Sequence, residues 1–185
     1  MADEDLTEMT ENTSPDLVDL IYAVDDPEGT PLDRKVALDN LRKLLNASRH
    51  CAKMTRDAAQ NIGSGSNTKI LFDNEHFNVG GLSDLDTDKF TIQEPGKYLI
   101  IARTRIGGVD TGEYVQVKIY IGGSSVASAN SMSSGTDRSP QPCVAEIFDL
   151  SAEDEIELYV YQNSGGTQTT LIAPDSRAAM SVIQL

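Results

Sequence analysis

From Lys69 to Leu185 the chain is a succession of short runs in which apolar and polar residues alternate. Val115-Gln116-Val117-Lys118-Ile119-Tyr120-Ile121 alternates without a break, and so does Ile156-Glu157-Leu158-Tyr159-Val160-Tyr161. A period of two sends successive side chains to opposite faces of an extended strand, so each run has one face to bury. Further runs fall at Ile70–Phe72, Lys89–Ile92, Lys97–Ala102, Val144–Leu150, Thr169–Ile172 and Ala178–Leu185, spaced by clusters of Gly, Asn, Asp, Ser and Pro. Eight or more short strands punctuated by turns predict an antiparallel sandwich or jelly roll. With aromatics at 5% and no Trp, its core has to be aliphatic.

The first third reads differently. Residues 1–38 are predicted as an acidic arm ending in a short hairpin. Leu20-Ile21-Tyr22-Ala23-Val24 is one strand, Asp25 to Pro31 supplies a Pro/Gly turn, and Lys35-Val36-Ala37-Leu38 returns. A helix is predicted over 39–62, with Asp39 as N-cap and Leu41, Leu44, Leu45, Ser48, Cys51, Ala52, Thr55, Ala58 and Ile62 at helical spacing. Its apolar stripe is strong only at Leu41, Leu44 and Leu45, so the helix needs a partner: its own β domain or two further copies. Gly63-Ser64-Gly65-Ser66-Asn67 reads as a flexible linker over 63–68, and 69–185 as the jelly-roll domain.

Charge narrows the partners. Net charge is −14, and eleven acids from Asp3 to Asp33 precede the first base, Arg34. Phosphate backbones repel such a chain, which argues against nucleic acid. The acidic, polar opening is unlike a signal peptide, and no apolar run approaches membrane-spanning length, so synthesis in a cytoplasm and no membrane contact are expected. Cys51 and Cys143 have no metal-site or disulfide spacing and are expected as free thiols. His50-Cys51 are neighbours on the predicted helix, about 100° apart, and do not make a nucleophile–base pair. No catalytic constellation stands out, and the chain reads as a non-enzyme. Gly107-Gly108, Gly122-Gly123 and Gly165-Gly166 lack the Lys-Ser/Thr of a phosphate loop and read as hairpin turns. Ser124–Pro142 reads as a long serine-rich loop, free for binding or lattice contact.

Asn78-Val79-Gly80, Thr87-Asp88-Lys89-Phe90-Thr91 and Pro95-Gly96-Lys97-Tyr98-Leu99-Ile100 resemble the complement/tumour-necrosis-factor-like jelly-roll family, whose members read Thr-Gly-x-Phe-(x)-Pro-x-x-Gly-x-Tyr there. Leu150-Ser151-Ala152-Glu153-Asp154-Glu155-Ile156 resembles that family's Leu-x-x-Gly-Asp-x-Val turn. Asp88 and Glu153 stand where the family prefers Gly. The resemblance implies a ten-strand-type jelly roll over about 69–185 and a homotrimer. Tyr159 and Tyr161, with Leu41, Leu44 and Leu45, are its candidate seam. Some members bind calcium, and Asp84, Asp86 and Asp88 alternate as oxygen ligands do. The loop lacks the Gly and Glu of a calcium hand, so a solvated turn is the plainer reading and no cofactor is expected.

Ile21 to Pro31 with Arg34 to Leu41 is similar to a segment near the start of tailed-bacteriophage virion proteins. That likeness implies an attachment module, with Leu20, Tyr22 and Val24 as candidate contacts on a major capsid protein or another virion protein. The expected role is a homotrimeric capsid decoration (cement) protein on the virion surface. The alternatives are a trimeric head- or tail-fibre receptor-binding protein gripping glycan, and a non-viral complement-like binding module.

Overall fold

The computed structural model describes residues 20–24, 33–37 and 50–185. They divide into two compact units with the boundary at Ser48/Arg49. In the first, β1 (Leu20–Val24) and β2 (Asp33–Ala37) pair antiparallel, Leu20 opposite Ala37 and Val24 opposite Asp33. This is the expected hairpin, its second strand beginning two residues earlier than the sequence suggests.

The second unit is all β. In chain order it runs β3 (Cys51–Thr55), β4 (Asn61–Ile62), β5 (Thr68–Lys69), β6 (Asn74–Val79), β7 (Ser83–Asp84) and β8 (Lys89–Thr91). There follow β9 (Gly96–Arg103), β10 (Tyr114–Ile121), β11 (Ser124–Met132), β12 (Cys143–Leu150), β13 (Glu155–Gln162), β14 (Gln168–Thr169) and β15 (Ala179–Gln184). One sheet has the order β12-β9-β15-β3-β6. The other is β11-β10-β13-β8-β7, with β5 pairing β13 beyond the end of β8. All ladders within these sheets are antiparallel, the arrangement of a jelly-roll sandwich.

The core forms as the alternation requires. Ala52, Met54, Tyr98, Ile100, Ala102, Met180 and Val182 from the first sheet join one buried cluster with Phe90, Val115, Val117, Ile119, Ile156, Leu158 and Val160 from the second. Phe90 and Tyr98 are both fully buried but belong to facing sheets, because the Pro95-Gly96 turn crosses between layers. The Tyr98 hydroxyl donates to the Glu94 carbonyl at 2.7 Å, which satisfies the one polar atom this ring brings inside.

Several expectations need correction. The helix does not extend over 51–62, since Cys51–Thr55 is a strand between β15 and β6. Cys51, Ala52, Thr55, Ala58 and Ile62 satisfy the helical period, but the burial of Ala52 and Met54 follows period two, and two partner strands remote in sequence decide the outcome. Leu41, Leu44 and Leu45 lie outside the described residues. The glycine-serine stretch is no free linker: Gly65 N donates to Gln162 O at 2.8 Å, and Ser64 bridges Gln162. The fully buried Gln162 amide donates to Ile62 O at 3.0 Å and Gly166 O at 2.7 Å, and its oxygen accepts from Ser164 N. Ile70–Phe72 is not a strand; it connects β5 to β6, with Ile70 and Phe72 buried. The first half of the supposed serine-rich loop is β11, an edge strand.

At one corner, Asp57 accepts from the Thr55 hydroxyl at 2.6 Å and the Asn74 amide at 2.9 Å, and it pairs with Arg177. Asp73 in turn pairs with Arg56 at 3.1 Å and accepts from Asp57 N and Ala58 N. The Thr55 hydroxyl first, then Arg177 and Asn74, hold the Asp57 carboxyl down at about 2. A folded pKa below the ordinary value favours the folded state only while the group is ionised. The Asp57 contribution is therefore full above about pH 4 and lost as pH falls toward 2. Asp57→Asn is expected to flatten this part of the acid limb of a Tm-versus-pH curve while leaving the slope near neutrality unchanged.

Asp88 (φ 54°) and Glu153 (φ 69°) both adopt the left-handed conformation. Glycine does so without the steric cost a Cβ imposes, so the resemblance and the backbone agree at these two turns. Glu153→Gly is expected to stabilise the chain by about 0.5–1 kcal/mol in urea unfolding, the relieved strain being partly offset by a freer unfolded chain.

Candidate functional site: an apolar assembly face

Strands that bury one set of side chains necessarily present the other, and the sheet containing β9 presents an unusual set. Its register sets Ile147 opposite Leu99, Leu99 opposite Ile183, Ile183 opposite Cys51, and Cys51 opposite Val79. One apolar side chain from each of five strands thus forms a row across the whole sheet. Four interstrand spacings of about 4.8 Å make it about 19 Å long. Ile147 is 55% exposed and Val79 45%, so the ends of the row stand in solvent.

The adjacent row is Ala145, Ile101, Ser181, Lys53 and Phe77, and Phe77 is again exposed. A shallow depression of about 310 Å³ lies beside it, lined by Lys53, Ile101, Arg103, Cys143, Ala179 and Ser181. Both cysteines are free and lie on this face. His50 and Cys51, as successive residues entering a strand, point to opposite sides, and His50 is buried. They are not placed as a nucleophile and its base.

The other expected site residues are dispersed. Tyr159 and Tyr161 lie on β13, on the outward face of the opposite sheet, while Ile156, Leu158 and Val160 of that strand fill the core. Leu20, Tyr22 and Val24 occupy alternate positions of β1, opposite Ala37, Lys35 and Asp33. Asp84 spends one oxygen on Asp86 N and the other on the Thr87 hydroxyl, at 2.9 and 2.8 Å, and these bonds hold its carboxyl below the usual range. Burial pushes the Asp88 carboxyl up. Among the described residues no three His, Cys, Asp or Glu side chains converge as a metal site, and the alternating aspartates form a turn instead.

Sequence reasoning missed the apolar row. Each strand contributes one residue to it, and only the register joins them. The one local signal was the run Leu99-Ile100-Ile101, apolar on both faces, where a half-buried strand would alternate.

No family model matches the chain, and no curated protein is significantly similar to it in sequence. Solved structures do match. Murine APRIL at pH 5.0 superposes with a TM-score of 0.57 at 14% identity, covering 75% of this chain and 100% of that one. The globular domain of the zebrafish complement 1qA protein gives 0.56 at 12%, covering 74% and 97%. The tumour necrosis factor Eiger from S. frugiperda gives 0.53 at 12%, covering 74% and 92%. None of the three is named as an enzyme. At such identities the likeness concerns architecture alone: the second unit has the complement/tumour-necrosis-factor-like jelly-roll fold.

Proposed function

We propose that this chain is a non-enzymatic assembly protein that works as a homotrimer, with the apolar face of the β12-β9-β15-β3-β6 sheet as the contact between subunits. The observation that carries the reading is the continuous row Ile147, Leu99, Ile183, Cys51 and Val79. Leaving so contiguous an apolar strip in water is unfavourable, and a polar rim around it is the usual anatomy of a protein contact. Lys53 and Arg103 border the strip on one side, and Lys97 with its cross-strand neighbour Asp149 on the other, so neighbouring copies have both signs available for setting their register. The seam moves accordingly from Tyr159 and Tyr161 to the opposite layer.

The more specific role is capsid decoration, with the trimer bridging major capsid subunits at the virion surface. Two features support it: a hairpin that lies in a compact unit separate from the sandwich, within the segment that resembles phage virion proteins, and a strongly acidic chain suited to dense display without aggregation. A fibre tip that binds a receptor is the second reading, favoured by four tyrosines clustered on β10 and β13.

Mass measurement in solution tests the trimer. The native chain is expected at three times the subunit mass, and Ile147→Asp with Ile183→Asp at the subunit mass with an unchanged β-sheet circular dichroism spectrum. A native chain that is monomeric at all concentrations removes the proposal. For attachment, deletion of residues 1–38 is expected to leave a folded trimer that no longer sediments with undecorated capsids; undiminished sedimentation shows that the sandwich itself makes the lattice contact.

A further inference from the structure

Four of the six tyrosines share one surface of the sandwich. Tyr114 and Tyr120 come from β10 and Tyr159 and Tyr161 from β13, hydrogen-bonded neighbours with Gln116 opposite Tyr161 and Lys118 opposite Tyr159. This register makes the rings diagonal partners. Tyr114 stacks on Tyr161 with centroids 5.7 Å apart and planes at 28°, and Tyr120 lies on Tyr159 at 4.2 Å and 37°. The two pairs are separated by about four strand residues, or about 13 Å. Lys118 Nζ sits 5.5 Å from the Tyr161 ring centre, between them.

Cross-strand ring pairs of this kind stabilise a sheet, but stability alone does not require the rim that surrounds them. Gln116 donates to Ser128 Oγ at 3.1 Å, Asn67 donates to the Tyr120 hydroxyl at 3.1 Å, and Asn130 stands opposite Gln116 on β11. All four rings are half-buried, so their remaining aromatic area faces solvent beside amides and hydroxyls. The acids nearby are already matched: Glu157 holds Lys69 at 2.6 Å and Glu155 holds Lys89 at 2.8 Å. In a chain of net charge −14 this surface is locally close to neutral.

That combination selects a ligand class. An apolar protein surface would leave the phenol hydroxyls and amides without partners. A polyanion would be repelled by the chain as a whole. A pyranose presents an apolar C–H face to an aromatic ring and hydroxyls to its rim, and tyrosine offers both a flat apolar body and a polar tip. Ring pairs set about 13 Å apart address more than one sugar unit.

We propose that the tyrosine surface of β10 and β13 binds a neutral oligosaccharide, with the rings stacking on sugar faces and Gln116, Lys118 and Asn130 reading hydroxyls. It lies on the sheet opposite the assembly face and is independent of that reading.

The absence of Trp makes intrinsic tyrosine emission a direct reporter, since four of six fluorophores lie in the proposed site. Titration of the full chain with maltohexaose, cellohexaose, mannohexaose and chitohexaose is expected to give a saturable change with at least one. Native gels containing the matching polysaccharide should then retard the protein. Tyr159→Ala with Tyr161→Ala is expected to weaken retention at least tenfold, whereas Tyr159→Phe with Tyr161→Phe keeps most of it. Gln116→Ala, which leaves the rings in place, should weaken it severalfold and guards against a misfolded double variant. Ile147→Asp with Ile183→Asp, on the opposite sheet, should bind with unchanged affinity per site. Lack of a saturable response to all four sugars overturns the proposal. So does retention that survives the alanine variant, or an alanine variant that loses its oligomeric mass instead, which would make the surface a subunit contact.

Discussion

The apolar layer between two antiparallel sheets governs the rest of this molecule. Tyr98, Ile100, Met180 and Val182 on one side and Val117, Ile119, Leu158 and Val160 on the other lie in a single buried cluster, and without it neither sheet has a reason to keep its register. The alternation that fills this layer also fixes what each strand shows outside. Once Ile100 and Val182 point inward, Leu99, Ile101 and Ile183 have to point outward. Once Leu158 and Val160 are buried, Tyr159 and Tyr161 are presented. The two outer faces have specialised in opposite directions, one aliphatic and suited to meeting protein, the other aromatic and polar.

How much of this was legible depended on how far apart in sequence the deciding partners lie. β10 and β13 could be read directly, because strict alternation in an eight-residue run admits one interpretation. β11 could not. Ser-Ser-Val-Ala-Ser-Ala-Asn-Ser-Met carries too little apolar contrast to show a period, and its place in the sheet comes from the ladder to β10. β3 was misread because Cys51, Ala52 and Thr55 are small and fit a helix as well as a strand, with only Met54 adding bulk; the choice is made by β15 and β6. The glycine-serine stretch was misread on composition, since the buried Gln162 amide that orders it lies a hundred residues away. Of the two candidate surfaces, the tyrosines were visible as residues but not as a platform, and the aliphatic row was invisible until the register assembled it.

The similarity to APRIL, to the complement 1qA globular domain and to Eiger rests on 12–14% identity. It is therefore a statement about architecture rather than about sites. At Asp88 and Glu153 this chain builds left-handed turns with acidic residues where a glycine would carry no steric cost. A shared sandwich leaves the outward residues free to vary, and those residues carry function in such folds.

The position of β15 has a kinetic consequence. It lies between β9 and β3, so Met180 faces Met54 across the ladder from more than a hundred residues downstream. Loop-closure entropy delays pairings of such long range, which places this sandwich among slow folders, on the millisecond-to-second scale. Until residues 179–184 dock, both β3 and β9 offer open edges to any passing strand. Crowded nascent chains are thus most vulnerable to cross-pairing late in folding, and swift insertion of this one strand ends the hazard.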